Sequence, residues 1–476
     1  MPNGWFRMSW SREEILSATR GEVIQEGEER VFGEIITDSR QVGKGAVFVA
    51  LVGERLDGHA FLEGAVRRGA SCLVVHQQPA ASLGRGATVI MVRDTLEALG
   101  EMAHYRREAV APKVLAITGS NGKTTTREMV AAILEQASLQ GRPLRGKVLK
   151  TERNYNNLVG LPLTLLRLCG REEVVVLELG TNRPGEIRRL AQIADPDIGL
   201  ITSVAPAHLE GLRSLAGVGR EKGALFQEMR PGGIAVVNLD DPWVSRLGKR
   251  FQGHKVTYGR KGMVRGESWR PLGEKGMEFT LRIGQERCRI RLKLCGRHHL
   301  DNAVAAAAMA HGLGVELGAM RRGLERVRPF PMRMEIGKWR GIGLINDAYN
   351  ANPASMAAAL KALAQLPRRG EKVAILGDML ELGGASRKSH RELGREVARR
   401  RVDRLYLLGR EAGHVKEGAL LGGMAEERVI VGKGHEEIAE TLRGHVKRGD
   451  WLLFKGSRAM NMERVLTAFQ KRETGG

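Results

Sequence analysis

The chain has 476 residues, 42% of them hydrophobic, which is too long for one core and ordinary for globular protein; two to four domains are expected. No stretch is long and apolar enough to cross a bilayer, since the nearest, Asn302 to Gly314, is short, alanine-rich and carries His311. A formal net charge of +22 suits a nucleic-acid binder, an enzyme working on polyanions, or an arginine-rich solvated surface, but with aromatics at 4% the stacking platforms for single strands are sparse.

The opening "MPNGWFRMSWSREE" lacks a charged-then-apolar leader pattern and points to the cytoplasm. Three alternating β/α stretches follow. In the first, "GEIITDSR", "AVFVAL", "SCLVVH" and "ATVIMV" read as strands, with helices at "HAFLEGAVRRGA" and "DTLEALGEMAHYRRE"; a small α/β domain ends near Val110. The second opens with strand "KVLAIT" and continues through "EVVVLELG", "DIGLITSV" and "GIAVVNLD", a helix-covered parallel sheet. From Val256 to Gly296 the pattern turns shorter and more polar, like a β-rich appendage. From Pro331, "IGLINDA", "KVAILGD", "RLYLLG", "RVIVG" and "DWLLFKG" alternate with helices as a doubly wound unit. Cys72, Cys169, Cys288 and Cys295 have no metal-site spacing and read as reduced.

After a buried strand, "TGSNGKTTT" turns straight into a helix. Glycines permit close backbone approach, the helix start offers free N–H groups, and Lys123 adds a point charge, all of which suits a phosphate; Thr124 would offer a hydroxyl to Mg²⁺. An Asn-Gly hairpin is the other reading, but "TTTREMVAAILEQ" is helical in pattern. Five residues before Gly122 stands Ile117 rather than the usual glycine, and the other glycine of the turn is Gly119. In "SLAGVGREKGALFQEM", Lys222 falls on the apolar stripe of Val218 and Phe226. A lysine there is paired, modified, or snorkelling to solvent.

The shortened "TGSNGKTT" loop resembles that of the Mur ligase and folylpolyglutamate synthase superfamily, which joins a carboxylate to an amine using ATP. The resemblance covers nearly the whole chain. It implies a three-domain α/β protein: an N-terminal UDP-substrate domain (1–110), a central P-loop parallel-sheet ATPase domain (111–330) and a C-terminal Rossmann-like domain (331–476). It implies ATP on Gly119, Ser120, Asn121, Gly122, Lys123, Thr124 and Thr125. Mg²⁺ would be held by Thr124, Glu178, His208 and Lys222, the last as a carbamate (N6-carboxylysine). Glu178 and His208 follow strands whose C-terminal ends collect ligands, although a capping contact and a structural histidine are the plain alternatives.

"TDSRQVGKGAVFVALVGERLDGH" resembles the nucleotide-sugar domain of the ligases that add the third residue and the final dipeptide of the murein stem. Asp38, Ser39 and Arg40 would then lie near the UDP moiety; a capped turn also explains them. "KTERNYNNLVGLPLTLL" resembles the family's asparagine-rich substrate loop, with Thr151, Asn154, Asn156 and Asn157 as contacts and Arg153 where a small residue is expected. "GRHHLDNAVAA" resembles a helix start beside the adenine, through His298 and Asn302; His299 stands in place of asparagine. Arg333 aligns with a hinge arginine that reaches the phosphates and serves catalysis alongside Lys123, Glu178, His208 and Lys222.

"INDAYNANPASMAAAL" resembles the signature of the dipeptide-adding ligases. Asp347, Tyr349, Asn350 and Asn352 would contact ATP and the reaction centre, and an N-capped helix satisfies the same residues. The implied substrates are UDP-MurNAc-tripeptide and D-alanyl-D-alanine, on a monomer with neither nucleic acid nor membrane insertion. A ligase adding a single diamino acid to UDP-MurNAc-dipeptide is the nearest alternative, and a basic P-loop protein acting on nucleic acid a more remote one.

Overall fold

The computed structural model describes residues 9–79, 83, 86–367 and 369–471. Residues 1–8, on which the leader reading partly rests, and 472–476 lie outside the described residues.

Three sheets organise the chain. The N-terminal sheet has five strands in the order Glu22–Gln25, Thr88–Met91, Ala70–Val75, Ala46–Val49 and Ile35–Ile36, parallel except for the first. Two of its surroundings escape the periodicity reading. Helix Arg12–Thr19 starts from a capping box in which Ser11 and Glu14 satisfy each other's backbone N–H groups. Strand Glu22–Gln25 is an antiparallel edge with a register shift. Helix Thr95–Val110 ends in a left-handed Ala111, and its Leu99, Met102 and Ala103 share one apolar core with Leu161, Leu165, Leu190 and Ile193 of the central region. The first two sheets are therefore coupled by packing.

The central sheet has nine strands. Val148–Lys150, Val174–Glu178, Lys113–Thr118, Ile198–Ile201, Ile234–Asn238 and His254–Tyr258 run parallel, and the near-continuous apolar runs of the four inner strands follow from burial on both faces. The expected appendage is instead a continuation of this sheet. Val264–Pro271 joins its edge, and Met277–Ile283 and Glu286–Leu292 extend it antiparallel. Met277, Phe279, Leu281, Ile290 and Leu292 are buried in the same core as helix Arg297–Gly312. The polar residues that suggested an appendage are the solvent face of half-buried strands.

The C-terminal sheet runs Glu335–Trp339, Ile342–Asn346, Trp451–Lys455, Lys372–Gly377, Arg404–Leu408, Val429–Gly432, antiparallel only at its first pair. Helices Pro353–Gln365, Ser386–Arg399 and Ala412–Leu421 cover one face, and His435–His445 and Glu463–Gln470 the other, as a doubly wound unit requires.

One tertiary contact fixes the helix that carries Lys222. Helix Glu186–Ala194 begins at Gly185 with no side-chain cap of its own. Glu221, buried on helix Leu215–Gln227, accepts the Gly185 N–H at 2.7 Å, the Ile187 N–H at 2.8 Å and the Thr181 hydroxyl at 3.3 Å. A carboxylate at a helix start also meets its partial positive charge. Glu221→Ala is expected to cost about 2–4 kcal/mol in urea unfolding, because two buried donors lose their acceptor; a loss below about 0.5 kcal/mol would mean that water replaces the carboxylate.

Candidate active site

Strand Lys113–Thr118 lies between Val174–Glu178 and Ile198–Ile201, with Ile117 opposite Glu178 and Thr118 opposite Ile201. Three strand ends therefore open onto one place, and the loop after Thr118 crosses it. Gly119 (φ +146°) and Gly122 (φ +82°) adopt backbone angles that side chains resist, and a Cβ at Gly119 would run into the Thr202 hydroxyl. The loop is tied to the next strand. Ser120 N–H donates to Ser203 O (2.9 Å), Asn121 N–H to Ser203 Oγ (3.3 Å), and the Thr202 hydroxyl to Asn121 O (2.6 Å). Helix Lys123–Leu134 starts without a side-chain cap, which leaves its first N–H groups available to an anion. Lys123 Nζ donates to Gly119 O at 2.7 Å; desolvation pushes its pKa down, Arg333 adds to that, and Glu178 opposes it.

Glu178 is the hub of the site. It is 3% exposed and takes the Thr124 hydroxyl at 2.8 Å, the Arg127 guanidinium at 3.2 Å and the Asn156 amide at 2.9 Å. Its own N–H donates to the Thr151 hydroxyl at 3.0 Å, so Thr151 sits beneath the carboxylate, wholly buried. Asn154, Asn156 and Asn157 line the cleft, and Asn157 also accepts the Gly160 N–H at the start of helix Gly160–Leu165. Arg153 has a φ of +47°, a left-handed position where glycine carries no penalty, which explains why a small residue is expected there.

His208 also lines the cleft, and its Nδ1 lies 2.6 Å from the Glu381 carboxylate of the C-terminal region. Lys222 stands behind the lining. It is 1% exposed and makes no hydrogen bond or ion pair among the described residues. Burial, with the Lys123 ammonium second, drives its pKa well below the usual lysine range, against the pull of Glu221.

The C-terminal region closes the opposite wall. Arg333 donates to the Thr124 hydroxyl at 2.9 Å and lies 3.8 Å over the Tyr349 ring, a cation–π contact that aims the guanidinium. Asn352 caps helix Pro353–Gln365 and donates to Asn121 Oδ1 at 2.8 Å, so the capping and site readings of this residue coexist. Asp347 accepts from Lys455 Nζ at 2.6 Å, and Lys455 also donates to Asn350 O at 2.9 Å. His298, facing Asp347 and Lys455, has its pKa lowered to about 4 by burial and is neutral at pH 7. His299 is 2% exposed, and neither ring nitrogen has a hydrogen-bond partner among the described residues.

These groups surround a cleft of about 1080 Å³ lined by the phosphate loop, the asparagine loop, the start of helix Arg297–Gly312 and the C-terminal region. Asp38, Ser39 and Arg40 are not part of that lining. Asp38 caps the turn Ser39–Gln41 and pairs with Arg40 at 2.7 Å, which lowers its pKa to about 2. Arg127, Lys455 and Glu381 are among the site residues that escape the sequence reading. Arg127 follows Lys123 by four and so shares its helix face, a signal that was legible. Lys455 ends the buried run "LLFKG"; Glu381 carries no local signal at all.

Thr124 and Glu178 supply hard oxygens 2.8 Å apart at the loop, as Mg²⁺ prefers. Among the described residues there is no ready cluster of three or more His, Cys, Asp or Glu side chains for a metal, so bound phosphate or a modified lysine would have to complete the shell.

Family models match three successive regions: "Mur ligase family, catalytic domain" over residues 32–107, "Mur ligase middle domain" over 117–310, and "Mur ligase, glutamate ligase domain" over 332–458. The chain is 35% identical to the UDP-N-acetylmuramoyl-tripeptide–D-alanyl-D-alanine ligase of Escherichia coli (strain K12), over 94% of this chain and 96% of that protein. The crystal structure of MurF from Acinetobacter baumannii superposes with a TM-score of 0.89 at 32% identity, covering 98% of this chain and 99% of that one. MurF ligase from Thermotoga maritima, in complex with ADP, gives 0.80 at 30% identity over 92% and 96%. Similarity of this degree, extending through all three matched regions, means that the chain belongs to the Mur ligase family and, within it, to the MurF ligases.

Proposed function

We propose that the chain joins D-alanyl-D-alanine to UDP-N-acetylmuramoyl-tripeptide, at the expense of ATP, to give the pentapeptide precursor of peptidoglycan. One observation carries the reading: Arg333 of the C-terminal region reaches the Thr124 hydroxyl of the phosphate loop at 2.9 Å, so the region that must bring the amine sits over the nucleotide site. In the first step the tripeptide's terminal carboxylate attacks the γ-phosphorus and ADP leaves, forming an acyl phosphate. In the second, the dipeptide amine attacks the acyl carbon, phosphate departs, and the amine proton is released.

Two anions must meet in the first step, so the protein's work is positioning and charge screening. Loop N–H groups and Lys123 hold the nucleotide phosphates, and Arg333 adds a fixed positive fork above them. Thr124, Glu178 and His208, with a carbamate on Lys222, would hold Mg²⁺, which when bound neutralises the phosphate and carboxylate charges. A neutral lysine amine is the form that combines with CO₂, burial shifts Lys222 toward that form, and the resulting anion would balance Lys123. Asp38, Ser39 and Arg40 are assigned to the UDP moiety, the asparagine loop to the sugar-peptide, and His298, Asn302, Asp347, Tyr349 and Asn350 to ATP. Domains are taken as 1–110, 111–330 and 331–476. We take the enzyme to act as a monomer in the cytoplasm.

Phosphate release from Mg-ATP should require both UDP-MurNAc-tripeptide and D-alanyl-D-alanine, with a dipeptide-extended product by mass. Release driven instead by one diamino acid and UDP-MurNAc-dipeptide would reassign the substrate. Lys123→Ala should lower kcat about 100- to 1,000-fold, as loss of a transition-state donor does, with an unchanged melting temperature; near-normal turnover would refute the loop assignment. Glu178→Ala should be inactive even at high Mg²⁺, and retained activity would move the cation elsewhere. Crystals grown with bicarbonate and Mg²⁺ should show a carboxylated Lys222 Nζ, whereas a bare amine there overturns the modification.

A further inference from the structure

The contact between His208 and Glu381 joins residues 173 positions apart, from two different sheets, at 2.6 Å. Both backbones are left-handed, at φ +54° and +63°, a conformation that non-glycine residues hold only where the surroundings impose it. The contact is doubled by the backbone, since Glu210 N–H donates to Glu381 O at 3.2 Å. The turn that presents Glu381 is braced from behind. His390, fully buried, accepts the Met379 N–H at Nε2 (2.9 Å) while its Nδ1 bonds Ser386 O (2.9 Å), and Leu380 N–H donates to Ser457 Oγ at 2.8 Å. A half-exposed glutamate is therefore held on a rigid support and aimed at a cleft histidine.

A carboxylate can only accept, so His208 Nδ1 must carry the proton. In the neutral ring Nε2 is then the lone-pair nitrogen, and it makes no hydrogen bond among the described residues. We propose that Glu381 is a positioning residue: the C-terminal domain supplies the carboxylate that fixes the ring and tautomer of His208, so that this histidine is a competent cation ligand only when the domains are closed. Outer carboxylates of this kind raise the basicity of a ligating histidine and hold its plane. The inference rests on the reading of His208 as a Mg²⁺ ligand. It couples metal affinity to closure, which would keep the cation from settling fully until the amine-bearing domain is in place.

The test is Mn²⁺ binding, followed by electron paramagnetic resonance, to full-length enzyme carrying a non-hydrolysable ATP analogue. Glu381→Ala should weaken Mn²⁺ binding about 10- to 100-fold and lower kcat comparably, with the KM for UDP-MurNAc-tripeptide unchanged. Glu381→Gln, whose amide oxygen accepts the same proton, should regain most of the loss. The Glu381 side chain is 51% exposed, so neither variant opens a cavity. His208→Ala is the control. If it weakens Mn²⁺ binding while Glu381→Ala does not, the positioning role falls and the metal reading stands. If His208→Ala leaves Mn²⁺ affinity unchanged, the metal reading falls and this inference with it. A Gln variant as impaired as the Ala variant would also overturn the proposal, since the shared acceptor would not be what matters.

Discussion

A carboxylate with almost no solvent contact, Glu178, sits at the end of a central strand, and the site is arranged around the need to satisfy it. Burying that charge unpaired would be prohibitive. It is met by a hydroxyl from the phosphate loop, a guanidinium from the following helix, an amide from the asparagine loop, and a threonine that orients its backbone. Thr124 and Arg127 come from the helix that follows the phosphate loop, and Asn156 and Thr151 from the asparagine loop. Satisfying one group thus sets the mutual geometry of the loop, the helix and the substrate strand.

The second organising feature is the crowding of positive charge. Lys123, Lys222, Arg127 and Arg333 converge on the same end of the sheet, and desolvation lowers the pKa of both lysines. Such a cluster repels itself until anions arrive, and two substrates of this reaction, ATP and the UDP-linked tripeptide, are anions. The molecule eases the conflict in three ways: Glu178 pairs with Arg127, Tyr349 carries Arg333 on its ring, and burial pushes the Lys222 pKa down. The overall charge of +22 has a local counterpart here, although most of the basic residues are spread over the surface.

Much of this was legible in the chain itself, and for identifiable reasons. The phosphate loop reads from sequence because its demands are local: glycines where the backbone turns left-handed, then a lysine and a threonine at a helix start. Lys222 reads as unusual because a lysine on an apolar stripe breaks the helical pattern. The β-rich stretch after Val256 misled, because alternating residues look the same in a detached hairpin and in the exposed edge of a large sheet. Only the burial of Phe279, Leu281 and Ile290 against helix Arg297–Gly312 distinguishes the two.

What the sequence determined by itself, then, is the succession of α/β units, the phosphate loop and the residues that would flank it, since each depends on contacts a few positions apart or on periodicity. The tertiary structure alone decided which distant groups meet. Arg333 on Thr124, Asn352 on Asn121 and Glu381 on His208 each cross from one sheet to another. No local pattern encodes such pairs, because the energy that brings them together is the burial of faces elsewhere in the chain, and the polar contacts form where that packing leaves them facing one another.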